Sequence, residues 1–316
     1  MYRIGFDVGG TNIAAGLVNE ALDIVQYRSV PFSNGKGGEY IASVLAQLVR
    51  DLLGAHGARA DELDCIGVAV PGSIDRRGEF VIDAYNLQFH NVPLRSQLQV
   101  YFPQVPVFLA NDANAAALAE LHKGAFMDYK TAVLITLGTG VGGGLILDGK
   151  MFNGGNSNGV ELGHMILKHN GDLCTCGVHG CVEAYCTASW LVRQGRRSVV
   201  EYVNSMIYTG ARGSMDNVTA KLVIDCAKAG DHVALDIFGQ YVDSLGSAIT
   251  SLVNLFDPEV IALGGGVSLA GDFLLEPLRE NVRKKVFYSS YGRIVPAQMG
   301  NDAGIIGAAM LKVNAE

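Results

Sequence analysis

Alternating apolar and polar positions open the chain. Residues 2–9, YRIGFDVG, read as a strand that breaks at Gly9-Gly10, and 12–19 and 24–32 continue as two more strands of a meander. The spacing turns helical over 40–57, with Gly57 placed to cap that helix. A buried strand at 65–72, a second at 79–86, a short helix at 93–102 and a strand at 105–112 come next. An alanine-rich helix over 113–126 completes this series.

The pattern then restarts. A strand at 131–138 breaks at Gly138-Thr139-Gly140, and 141–149 returns as the second arm of a hairpin. Helices are expected over 183–197, over most of 219–256 with a break at Gly230-Asp231, over 273–287 and over 303–314. Strands are expected at 260–267 and 293–299. Each half opens with strand, glycine turn, strand, as duplication of one architectural unit would give, and the restart puts a boundary near 117–130.

Composition narrows the class. Of 316 residues 49% are apolar and 17% charged, so the chain folds into compact domains without long disordered tracts. A net charge of -7 argues against nucleic acid or an anionic membrane as partner. Residue 1 leads directly into a strand pattern, and no apolar run approaches about eighteen residues, so a cytoplasmic protein is expected.

One segment carries dense chemistry. VELGHMILKHNGDLCTCGVHGCVE, 160–183, holds His164, Cys174, Cys176 and Cys181, with Gly177 and Gly180 where the chain must turn. Three thiols and an imidazole form a closed Cys₃His set suited to structural zinc, with no position left for water. Cys65, Cys186 and Cys226 lie in apolar segments and read as buried thiols. Glu161 and Glu183 bracket the metal ligands, so the loop serves to pin carboxylates.

Two glycine turns suggest anion binding. Asp7-Val8-Gly9-Gly10-Thr11 places a carboxylate, two glycines and a hydroxyl at one strand turn, and Gly138-Thr139-Gly140 repeats the theme. Glycine lets backbone N–H groups converge on phosphate, and an Asp beside phosphates suits magnesium through water. Gly138, Gly140 and Gly143 also satisfy the G-x-G-x-x-G spacing. That fingerprint must open a helix, whereas the residues after it read as strand, so a dinucleotide fold is excluded.

Asn111-Asp112 ends a buried strand and precedes a helix. An Asp there caps helices routinely, yet it could equally accept a proton from an alcohol attacking a γ-phosphate. Asn86 lies in a polar turn, and the Asn- and Gly-rich run 152–161 suits a substrate loop or a solvated one.

Together, DVGGT at 7–11, PG at 71–72, NL at 86–87, NDAN at 111–114, LGTGVGGG at 137–144, ELGH at 161–164, CTCGVHGCVE at 174–183 and LGGGV at 263–267 resemble a ROK-family sugar kinase of the glucokinase type over essentially the whole chain. The resemblance implies an α/β, actin/hexokinase-like (ribonuclease H-like) two-lobed ATPase fold, with the zinc-pinned loop in the larger lobe and ATP in the cleft between lobes. The small lobe is expected at 1–117 plus 303–316 and the large lobe at 118–302. It further implies Asp112 as catalytic base and Gly72, Asn86, Asn111, Asp112, Glu161, His164 and Glu183 as sugar contacts, His164 giving one ring nitrogen to zinc and one to sugar. Asp7, Gly9, Gly10, Thr11, Gly138, Thr139 and Gly140 would hold ATP phosphates with magnesium, and Gly265 and Gly266 would lie near adenosine. Phe89 stands where a family tryptophan would wall the sugar. The turns at 7–11 and 137–140 lie outside the zinc loop and are expected to be less affected by its loss than the sugar site.

The implied activity is ATP-dependent phosphorylation of a hexose 6-hydroxyl by a homo-oligomer, dimer or tetramer. Glucose is the expected acceptor, with mannose, allose, fructose and N-acetylmannosamine as alternatives. The family also holds sugar-responsive repressors, but those carry a DNA-binding domain before the DxGGT turn, whereas Asp7 stands at the start here. A polymerising cytoskeletal ATPase would not need zinc-held carboxylates.

Overall fold

The computed structural model describes residues 1–33, 35–156 and 159–315, and the chain divides into two compact units. The first comprises Met1–Lys130, Gly144–Val160 and the chain from Ala297 on, and the second Thr131–Gly143 and Glu161–Pro296. These units are not coextensive with the expected lobes, since residues 118–130, Gly144–Val160 and residues 297–302 join the first. Ser157 and Asn158 of the Asn-rich run, and the last residue of the expected small lobe, lie outside the described residues.

In the first unit β1 (Tyr2–Val8), β2 (Asn12–Val18) and β3 (Ile24–Pro31) form the expected antiparallel meander. Helix α1 (Gly38–His56) ends at Gly57, whose φ of 76° is the left-handed cap that glycine accepts without strain. Strand β4 (Leu63–Val70) pairs parallel with β1. A small antiparallel set, β5 (Ser73–Ile74), β6 (Val81–Ala84) and β7 (Phe89–Val92), precedes α2 (Leu94–Gln99). Strand β8 (Val107–Asn111) pairs parallel with β4, and α3 (Asp112–Lys123) follows at once. The main sheet order is β3-β2-β1-β4-β8. Nearly every residue of β4 is buried, as expected of a parallel strand covered on both faces.

The second unit begins with β9 (Ala132–Leu137) and β10 (Val141–Leu147), and β10 carries the chain out of that unit after Gly143, towards β11 (Lys150–Met151). Its helices are α4 (Ala188–Glu201), α5 (Met206–Gly210), α6 (Ala220–Lys228) and α7 (His232–Phe256). Strand β12 (Val260–Gly264), α8 (Asp272–Lys285) and β13 (Arg293–Pro296) complete it. The sheet order is β11-β10-β9-β12-β13, with β12 parallel to both β9 and β13. The expected break at 230–231 is real: Asp231 caps α7 by accepting from the Ala234 amide at 2.8 Å.

Two expectations shift. The helix expected from Glu183 begins at Ala188, capped by Thr187 Oγ1, which accepts from the Trp190 amide. Residues Val182–Ala184 form only a single 3₁₀ turn. The closing helix is broken at Met310 into α9 (Ala303–Ala309) and α10 (Leu311–Ala315).

Helix α9 returns to the first unit and packs on β1, β4 and α3 at backbone distance. A Cβ on Gly5 would stand 1.9 Å from the Ile305 carbonyl oxygen, one on Gly67 1.8 Å from that of Ala308, and one on Gly307 1.6 Å from that of Ala115. These contacts require glycine. Below them Glu120, 1% exposed, ties the ends together. Its Oε1 accepts from the amides of Gln298 and Met299 at 2.8 Å each, and its Oε2 from that of Ala125 at 2.7 Å. No described helix is long and apolar enough to cross a membrane.

Candidate active site and metal centre

In the first unit the parallel strands deliver the expected residues to one sheet edge. Asp7, Gly72 and Asn111 lie at or just past the carboxyl ends of β1, β4 and β8, where the register pairs Asp7 with Ala69 and Val70 with Asn111. Carboxyl ends of parallel strands are where open α/β sheets place ligands. Asn111 caps α3: its Oδ1 accepts from the amides of Ala113 and Asn114 at 2.9 and 3.2 Å. Its Nδ2 donates to the Gly72 carbonyl at 3.0 Å. Asp112, the first helical residue, accepts from the Ala113 amide at 2.8 Å through Oδ1. The capping role offered for Asp112 thus falls mainly to its neighbour.

The first glycine turn is closed by the Gly9 amide donating to the Asn12 carbonyl at 2.8 Å. Gly10 abuts Asn86, whose carbonyl oxygen would lie 3.3 Å from a Cβ there, so turn and Asn86 belong to one surface. Asp7 is packed against Gly304 of α9, where a Cβ would stand 2.6 Å from the carboxyl carbon. Burial holds its carboxyl above the ordinary value.

In the second unit His164, Cys174, Cys176 and Cys181 converge, with all four ligand atoms within 4.8 Å of one another. Cys176 and Cys181 sulfurs are 3.7 Å apart, and Cys174 Sγ is 3.7 Å from His164 Nδ1. Zn–S bonds of about 2.3 Å at tetrahedral angles put sulfurs about 3.8 Å apart, so the donors fit zinc in type, number and spacing. Left-handed glycines make the turns, with φ of 86° at Gly177 and 89° at Gly180, and a Cβ on Gly180 would strike the Lys168 carbonyl at 1.9 Å. The Val178 amide lowers the Cys176 thiol, whereas burial pushes Cys181 up to about 12. Facing Cys174 with Nδ1 leaves His164 its Nε2 for another partner.

Glu183 does more than border the metal ligands. Its Oε1 accepts from Thr175 Oγ1 at 2.7 Å, and its Oε2 accepts from the Val141 amide at 3.0 Å, in the second glycine turn. A Cβ on Gly140 would stand 2.8 Å from that Oε2. The turn is closed by the Gly138 amide on the Gly140 carbonyl at 3.0 Å, and the Gly138 carbonyl accepts from the Ala188 amide at 2.8 Å. Gly163, beside the ligand His164, packs on the Val141 carbonyl, and Gly265 packs on the backbone of Leu137. The second glycine turn, expected to lie outside the zinc loop, is thus in direct contact with it at 140–141. Carboxylate and backbone of the loop hold that turn directly.

Phe89 is 4% exposed and packs within the first unit's core, where alternation along β7 turns it inward. His56 Nε2 lies 3.0 Å from the Tyr2 hydroxyl. His90 Nδ1 lies 2.8 Å from Asp83 Oδ1. Glu161 is exposed at the start of the 3₁₀ turn Leu162–His164, and Gly266 opens a turn running to Ala270. Along α4 a groove of about 910 Å³ is lined by Ser189, Arg193, Arg196, Val218 and Thr219. Thr175, Gly163 and Val141 were not singled out from the sequence. For Thr175 the only signal was its place between two ligands of a C-x-C pair.

The ROK family model matches residues 3–315. A glucokinase of Thermotoga maritima is 37% identical over 98% of this chain and 96% of its own length. A putative xylose repressor of a Caldicellulosiruptor species is 27% identical over 98% of this chain and 78% of its own. Among solved structures, a ROK glucokinase of Streptomyces griseus in complex with glucose and AMPPNP superposes with a TM-score of 0.82 at 32% identity, over 98% of this chain and 99% of that one. The strand orders, the His-Cys₃ cluster and these similarities agree: this chain has the α/β two-lobed, actin-like ROK fold, and it belongs to the ROK family.

Proposed function

We propose that this protein transfers the γ-phosphoryl group of ATP to the 6-hydroxyl of a hexose, with glucose as preferred acceptor. The observation that carries the reading is the division of labour at Asn111-Asp112. Asn111 is committed to capping α3 and to the Gly72 carbonyl, which fixes the backbone from which the Asp112 carboxylate projects. Asp112 takes the proton of the 6-hydroxyl as that oxygen attacks the γ-phosphorus and ADP departs. Gly72, Asn86, Asn111, Glu161, Glu183 and His164, through Nε2, read the remaining hydroxyls. Carboxylates suit this task because each accepts from a hydroxyl that a deoxy analogue lacks.

The backbone donors of 10–11 and 139–140 receive the polyphosphate, in turns closed by the Gly9 and Gly138 amides, and Asp7 would hold its magnesium. The adenosine lies near Gly265 and Gly266. Magnesium, when bound, neutralises charge that develops on the phosphates. Zinc, when bound, fixes the Cys174–Cys181 turn and the tautomer of His164.

Similarity to glucokinases favours glucose; similarity to a putative xylose repressor favours a second reading, a sugar-responsive regulator. Release of ADP, measured by a coupled assay across glucose, mannose, allose, fructose, 2-deoxyglucose and N-acetylmannosamine, separates them. Glucose should exceed 2-deoxyglucose by at least about tenfold in kcat/KM, the lower range for one lost hydrogen bond to a charged group. Sugar binding without ADP release would favour the regulator. N-acetylmannosamine equal to glucose would overturn glucose alone.

A further inference from the structure

We infer that Thr175 is a positioning residue for the second glycine turn, linking order at the metal cluster to order at the backbone amide of Val141. The link is a carboxylate that spends one oxygen on each side. Thr175 Oγ1 donates to Glu183 Oε1 at 2.7 Å, and the Val141 amide donates to Glu183 Oε2 at 3.0 Å. Glutamate has three rotatable side-chain bonds, so reaching a backbone amide requires something that selects one rotamer. The Thr175 hydroxyl does this. Its own position is set because it stands between Cys174 and Cys176, both drawn to one point by the metal site.

The turn is built to receive that carboxylate. Position 140 carries no Cβ, which would otherwise stand 2.8 Å from Oε2. On the far side of Val141, Gly163 abuts its carbonyl, so loop backbone packs against the next peptide of the turn as well. Thr175 itself ligates nothing, touches no reacting atom and is exposed, so its removal leaves the metal donors intact.

The consequence for nucleotide rests on the phosphate-binding reading of 138–140, whereas the link itself does not, and two measurements separate them. Thr175→Val keeps shape and removes the hydroxyl. Hydrogen exchange of the segment 138–143, followed without nucleotide on zinc-loaded protein, should be faster in Thr175→Val than in wild type. Zinc content by elemental analysis should stay equal, and Thr175→Ser should restore slow exchange. KM for ATP should rise roughly tenfold, the lower range for one hydrogen bond to a charged group, with kcat within about threefold. Unchanged exchange at 138–143 with full zinc overturns the link. Faster exchange with an unchanged KM for ATP upholds the link and overturns the phosphate role of the turn.

Discussion

Asn111, not Asp112, supplies the main cap of α3: its Oδ1 receives two amides of the first turn and its Nδ2 holds the Gly72 carbonyl. Asp112 follows as the first helical residue, sharing only the Ala113 amide with that cap. A carboxylate at a helix start is favoured by the helix dipole.

Asp112→Asn should therefore leave fold and sugar affinity nearly intact while turnover falls by about 10² to 10⁴, the usual range for a lost general base. Calorimetric titration with glucose and steady-state kinetics check both halves. Turnover within about threefold of wild type would remove Asp112 from the base role.

Removing the metal should reach further than the sugar site. Structural zinc contributes roughly 10–16 kcal/mol in model peptides, so the Cys174–Cys181 turn should lose its order without it. Cys181→Ser should lower zinc content and raise KM for sugar and for ATP together, since Glu183 touches the second glycine turn as well as the loop. Elemental analysis and two-substrate kinetics test this. A raised sugar KM beside a wild-type KM for ATP would contradict it.

Much of this was readable beforehand. The Cys₃His set is local, confined to 164–181, and its donor types are specific to the metal, so spacing alone was sufficient. Strand and helix patterns fixed most elements for the same local reason. What escaped the sequence depends on partners remote in the chain. Glu183 reads as a helical residue until its carboxylate is seen to reach back to Val141, which leaves Thr187 to start α4. The packing of Phe89 in the core depends on the pairing of β6 with β7, which the sequence does not show. Short strands such as β5 and β11, two residues each, carry too little pattern to be read.

Glu120 gives a stability test away from the chemistry. Glu120→Gln replaces one carboxylate oxygen by an amide that faces a backbone N–H, so at least one buried donor is orphaned. The cost should be about 1–3 kcal/mol. For a chain of this size Tm should fall by roughly 2–4 °C for each kcal/mol. Thermal denaturation within about 1 °C of wild type would show that the clamp contributes nothing measurable.

Asp7 predicts a pH dependence of opposite sign to that of a salt-bridged acid. Burial raises its folded pKa, so the folded chain retains a proton that the unfolded chain has lost. Its contribution to stability is thus greatest below the unfolded value of about 3.9 and declines as pH rises through the folded value. Asp7→Asn should raise Tm at neutral pH, by about 2–4 °C per kcal/mol of relief, and raise it less at pH 4. Melting curves across that range test it. A variant that melts below wild type at neutral pH would refute the burial cost.

Helix α9 has a consequence for how the protein is made. Its glycine contacts complete a sheet whose strands β1 and β4 belong to the first quarter of the chain. On the ribosome that sheet leaves the exit tunnel with one face uncovered, and more than half the chain emerges between α3 and α9. At about 5–20 residues per second, the exposed face waits on the order of ten seconds or more for its cover. The second unit, bounded by Thr131 and Pro296, is fully synthesised within that wait. The later-made unit is therefore able to fold first, and the earlier-made one last.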